Sequence, residues 1–105
     1  MDINEYLEKH RKVIAITDHI AMVELRPEIE CADGLTFSVQ ASHTHYCQPR
    51  NDNGPYTAVE VGYPSKPVKE LMPYAEDTEN PTSTVYGYVP VEIVEQVIES
   101  HGGIK

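Results

Sequence analysis

Residues 28–42 read EIECADGLTFSVQAS, and this stretch decides the fold. Asp33-Gly34 lies between two strand-like runs, and such a dipeptide is a strong short-range signal for a β-hairpin, because glycine accepts the positive φ that a tight turn demands. In the second arm Leu35, Phe37, Val39 and Ala41 alternate with Thr36, Ser38 and Gln40. A period of two packs one set inward and turns the other toward solvent or a ligand. The hairpin therefore predicts an antiparallel sheet with one buried face.

Working outward, Tyr56 to Tyr63 reads as a further strand, with Val59 and Val61 on one face and Thr57 or Ala58 with Glu60 on the other. Gly62 and Pro64 stop it. Thr84 to Val89 alternates Val85, Gly87 and Val89 against Tyr86 and Tyr88, which predicts both tyrosines on one face of a strand. Pro90 then stands where the first residue of a helix belongs, ahead of VEIVEQVIESH. Val94, Val97, Ile98 and His101 repeat at helical spacing, Glu92, Glu95 and Glu99 are expected to face water, and Gly102 and Gly103 supply the stop. At the other end Asp2 can cap a short helix whose Ile3, Tyr6, Leu7 and His10 share a face, ending near Arg11. Strands are expected at about 12–17 and about 21–26, where β-branched residues recur without a clean period. The sum is a single α+β domain over residues 1–105: a small antiparallel β-sheet with a short N-terminal helix and a C-terminal helix packed on it.

Two segments are longer and more polar than such a core requires. Residues 42–55, SHTHYCQPRNDNGP, are rich in turn-formers, and residues 64–83 carry Pro64, Pro67, Pro73 and Pro81 with room only for a helical turn around Lys69–Tyr74. Long polar loops are where binding residues concentrate.

Seventeen acidic residues against eight basic leave a net charge of −9, which removes the electrostatic term that dominates binding to DNA or RNA. A small anion can still be held by a few arginine and backbone N–H donors. No apolar run approaches the length of a membrane span, and the N-terminal residues lack the pattern of a secretory leader, so the expected location is cytoplasmic. Cys31 and Cys47 are then expected to be free thiols.

His43, His45 and Cys47 alternate, and an extended loop would point all three one way, as soft ligands for zinc. The spacing matches no zinc signature and lacks an obvious fourth ligand, so no metal and no cofactor is expected. Cys47 beside a histidine lacks the surroundings of an activated nucleophile, and Glu76, Asp77 and Glu79 read as a solvated acidic stretch, so no catalytic residue is assigned. Tyrosine supplies seven of the eight aromatic rings, mostly in or beside the loops, and suits recognition because a ring can stack on a flat base while its hydroxyl finds a polar partner. The expected ligand-binding residues are Tyr46, Arg50, Tyr56 and Tyr63 from the first region and Asn80, Thr82, Thr84 and Tyr86 from the second. Rings would hold a base, Arg50 a phosphate, and the amide and hydroxyls a ribose.

The phrases SVQAS, HYCQPR, YTAVEVGYPS, LMPYAED and ENPTSTVYGYVPVEIVEQVIESHGGI, spread over residues 35–104, resemble a family of small phage-encoded Thoeris anti-defence proteins. Members act as sponges that bind a cyclic ADP-ribose-type immune signal and hold it uncleaved. The resemblance implies a non-enzymatic protein of the infected bacterial cytoplasm that sequesters a cyclic nucleotide. It also implies a homo-oligomer, with a hexamer as one form, and pockets between subunits. The alternative expectation is an acidic, anti-CRISPR-like inhibitor that acts by binding a protein, for which the charge of −9 is the motive.

Overall fold

Alternation in residues 36–40 builds the strand around which the molecule is organised. The computed structural model describes residues 2–15 and 22–105. In chain order they form α1 (Ile3–Lys9), β1 (Lys12–Ala15), β2 (Met22–Leu25), β3 (Ile29–Glu30), β4 (Thr36–Gln40), β5 (Ala58–Gly62), a 3-10 helix (Lys69–Tyr74), β6 (Val85–Pro90) and α2 (Val91–Ser100). β1 and β2 pair as an antiparallel ribbon, while β3-β4-β5-β6 make a four-stranded antiparallel sheet. Of the two strands expected near the N-terminus, residues 16, 17 and 21 lie outside the described residues.

The Asp33-Gly34 hairpin forms with a three-residue loop. Gly34 adopts φ +98 and its N–H donates to the Cys31 carbonyl at 2.9 Å, while the Cys31 N–H meets the Leu35 carbonyl at 2.8 Å. Phe37, Val39, Val59, Val61, Tyr86 and Val89 line the buried side of the sheet. Ile3 and Leu7 of α1 and Val91, Val94, Val97 and Ile98 of α2 complete the same core. Each large aliphatic side chain buried there contributes about 1.5–3 kcal/mol.

Polar side chains fasten this core at its margins. Asp2 caps α1 by accepting the Asn4 and Glu5 N–H groups. The Ile3 N–H, which the helix itself cannot satisfy, donates to Glu95 Oε2 at 2.9 Å, so Glu95 joins the two helices instead of facing water. Gln40 departs from its expected outward role in the same way. It is buried, accepts the Arg26 N–H at 2.9 Å and donates to the Arg26 carbonyl at 2.8 Å. The Arg26 guanidinium donates in turn to the Leu7 and Ala41 carbonyls, tying the segment after β2 to α1 and β4.

Pro90 stands one residue earlier than expected, as the N-cap of α2, with φ −54 and ψ 139. Beyond α2, Gly102 at φ +89 passes so close to the hairpin that an added Cβ would lie 2.9 Å from the Ala32 Cβ. The chain then runs along β3, the Ala32 N–H donating to the Gly103 carbonyl and the Lys105 N–H to the Glu30 carbonyl, both at 2.8 Å. On the opposite border Ala75 bridges to Tyr86 and the Glu76 N–H donates to the Val85 carbonyl at 3.0 Å.

The expected pairing of Tyr86 and Tyr88 on one face requires correction. Val59 pairs with Val89 and Val61 with Tyr86, so the two residues Gly87 and Tyr88 stand opposite the single Glu60. This β-bulge inserts one residue and reverses the alternation. Tyr86 is wholly buried, Tyr88 is 45% exposed, and Val89 is buried again. Tyr88 carries the strain of the irregularity, with φ +54.

Candidate functional site

The bulge creates the most concentrated group of exposed aromatic side chains among the described residues. The loop 42–55 passes over the outer side of the sheet and sets Tyr46 against Gly87, where a Cβ would stand 3.4 Å from the Tyr46 Cβ. Main-chain bonds hold Tyr46 in place: its N–H donates to Glu60 Oε2 at 2.9 Å, and its carbonyl accepts the Tyr88 N–H at 3.1 Å. The Tyr46 and Tyr88 rings lie 5.9 Å apart, tilted by 38°. Arg50 places its guanidinium carbon 5.5 Å from the centre of the Tyr46 ring while its Nε–H donates to the His43 carbonyl at 3.2 Å. Among the described residues nothing engages the Arg50 Nη groups or the two tyrosine hydroxyls. The surface therefore offers two rings, a planar cation and a carboxylate, with Glu60 and Tyr88 on strands and Tyr46 and Arg50 on the loop held against them.

Of the eight expected ligand-binding residues, the structure brings Tyr46 and Arg50 together here. Tyr63 is exposed at the end of β5, at φ +51, with its N–H on the Thr84 carbonyl at 3.1 Å. Tyr56 is 5% exposed and donates its hydroxyl to the Asn51 carbonyl at 2.8 Å. Tyr86 is fully buried beneath the opposite face, its hydroxyl donating to the Pro81 carbonyl at 2.6 Å, and burial pushes its phenol upward in pKa. Thr84 is buried and accepts the Asp77 N–H at 3.1 Å, and Asn80 donates to Asp77 Oδ2 at 2.9 Å. Thr82 is exposed on the same loop. The second region thus spends Thr84, Asn80 and Tyr86 on holding its own turn, and it meets the first through the Tyr63 N–H on the Thr84 carbonyl.

Two residues of the surface, Tyr88 and Glu60, were not among those expected. Gly87 between two tyrosines was the available signal, since an isolated glycine within a strand often marks a bulge.

The alternating His43, His45 and Cys47 turn to two residues, Asp52 and Ser42, and not to one common point. His43 Nδ1 meets Asp52 Oδ1 at 2.8 Å, His45 Nδ1 meets the Ser42 hydroxyl at 2.6 Å, and the buried Cys47 thiol contacts the Ser42 carbonyl at 3.2 Å. Among the described residues no group of His, Cys, Asp and Glu is arranged to hold a metal. Burial raises the Cys47 thiol pKa, the reverse of what an activated nucleophile needs. Cys31 and Cys47 are unpaired and buried.

Elsewhere a concavity of about 440 Å³ opens between α1 and residues 52–56. Asp2, Glu5, Glu8 and Asp52 contribute to its walls together with Asn4 and Tyr56. Four carboxylates outnumber the single guanidinium of Arg26 in the same lining and oppose an anionic ligand there. The Asp52 carboxyl is held below the usual range by the His43 backbone N–H and then by the His43 ring.

No protein-family model, no curated protein and no solved structure matches the chain. Among the described residues no helix is long and apolar enough to cross a membrane.

Proposed function

We propose that this protein is a non-catalytic phage anti-defence protein that captures a cyclic nucleotide of the cyclic ADP-ribose type and holds it intact. The observation that carries the reading is the pair of exposed rings, Tyr46 and Tyr88, with Arg50 stacked beside them on a backbone fixed by Glu60. A base stacks on such rings, and a guanidinium with free Nη groups takes a phosphate in a forked pair of hydrogen bonds. The bonds that fasten the Tyr46 main chain to Glu60 and Tyr88 support the reading further, because a surface already in its binding shape loses less entropy when it is occupied. The open, shallow form of a single chain's surface fits a pocket completed by a second copy in a homo-oligomer. The sequence resemblance to Thoeris sponges supplies the choice of nucleotide.

Purified protein incubated with cyclic ADP-ribose, washed, and then denatured by heat should release the intact nucleotide, and the Tyr46→Ala variant should retain much less. Release of nothing from the wild type would sink the reading, and release of a cleaved product would replace it with a hydrolase.

The acidic cleft favours a second reading, an inhibitor that docks on a basic protein surface. Such binding should weaken steeply as salt is added and should be insensitive to Tyr46→Ala.

A further inference from the structure

On the outer face Glu60 has one carboxylate oxygen that the support of Tyr46 does not use. Glu60 is half-buried on β5, opposite the bulge residues Gly87 and Tyr88. Its Oε2 is occupied by the Tyr46 N–H at 2.9 Å, while among the described residues no donor reaches Oε1 and no cation pairs with it. A carboxylate oxygen that loses its water under a bound ligand costs free energy unless a donor on the ligand replaces that water.

We propose that Glu60 determines the specificity of this surface, its Oε1 accepting a hydrogen bond from a nitrogen-bound proton on the edge of the stacked base. The inference rests on the nucleotide reading above and adds which bases are accepted. Because the Tyr46 N–H fixes Oε2, the carboxylate cannot turn freely, and Oε1 presents an acceptor in one direction. An ionised carboxylate accepts and never donates. A base with a nitrogen-bound proton at its 6-position is held, whereas a carbonyl oxygen at that position meets Oε1 as a second acceptor and is rejected. Hydrogen bonds to a charged group of this kind alter affinity by about tenfold or more.

Glu60→Gln makes the idea testable. The Tyr46 N–H still requires an acceptor, so the amide oxygen takes the place of Oε2 and the NH₂ group that of Oε1, setting a donor where an acceptor stood.

Calorimetric titration of the full chain with cyclic ADP-ribose and with cyclic inosine diphosphate ribose, which carries an oxygen in place of the 6-nitrogen, should show the wild type preferring the former by about tenfold. Glu60→Gln, with its fold checked by far-UV circular dichroism, should prefer the inosine form. Equal affinity of the wild type for both, abolished by Tyr46→Ala, would overturn the role of Glu60 and leave the stacking surface standing. Loss of both ligands alike in Glu60→Gln would overturn it too, reducing Glu60 to a support for Tyr46. Absence of binding by either nucleotide, or binding indifferent to Tyr46→Ala, would bring down the surface itself and Glu60 with it. The wild-type comparison decides the matter even where the glutamine variant fails to fold.

Discussion

Tyr86 and Tyr88 stand two residues apart on one strand and have opposite fates. The first is sealed under the sheet with its hydroxyl on the Pro81 carbonyl, and the second stands in solvent beside Tyr46. The same contrast separates the two long loops. Residues 42–55 deliver Tyr46 and Arg50 to the outside with side chains uncommitted at their tips, whereas in residues 77–84 Asn80 and Thr84 are spent on Asp77. For the two tyrosines the difference comes from backbone register, through one extra residue opposite Glu60.

Truncating the buried ring tests this contrast most severely. Tyr86→Ala should lower the free energy of unfolding by about 3–5 kcal/mol, and Tyr88→Ala should change it by less than about 1 kcal/mol. Urea unfolding followed by circular dichroism compares the two, and equal losses would erase the distinction. Tyr86→Phe sharpens it, since the ring remains while the Pro81 carbonyl loses its donor, at an expected cost of about 1–3 kcal/mol.

On the outer side Gly87→Val should push Tyr46 off the sheet, because the Tyr46 Cβ already lies 3.4 Å from where a Cβ would stand. Nucleotide capture should fall by about tenfold or more, while the overpacking costs about 1–3 kcal/mol of stability. Capture unchanged in this variant would show that Tyr46 does not need its place against the bulge.

The smallest effect concerns one carboxylate from each loop. Asp77 is held below the usual carboxylate range by the Asn80 amide and then the Glu79 N–H, and Asp52 by the His43 N–H and then its ring. A depressed pKa in the folded state stabilises the fold at pH values above the ordinary carboxylate value of about 3.9, and that contribution is lost as pH falls through the lower folded value. Asp52→Asn and Asp77→Asn should each make the melting temperature less dependent on pH below about 4. A melting curve as steep with pH in the variants as in the wild type would remove these carboxylates from the account.

Much of the architecture was legible in the sequence because it follows from local rules. Asp33-Gly34 and the alternation after it specified a hairpin, Asp2 specified a cap, the spacing of Val94, Val97 and Ile98 specified α2, and the prolines confined residues 64–83 to one 3-10 turn at Lys69–Tyr74. Interactions between distant segments were not legible. Glu95 reads as a solvent-facing helix residue until α1 brings an unsatisfied N–H to it, and Gln40 reads as an outer-face residue until Arg26 arrives. The grouping of Tyr46 with Arg50 was visible from their shared loop, but that Tyr56 and Tyr86 are buried while Tyr46 is exposed depends on packing between distant segments.

Both borders of the four-stranded sheet are occupied from within the chain, β3 by residues 103–105 and β6 by residues 75–76. Neither border strand of that sheet therefore offers a bare ladder on which another copy could extend it. Extension of this sheet by strand addition at these positions would first have to displace residues 103–105 from β3 or residues 75–76 from β6.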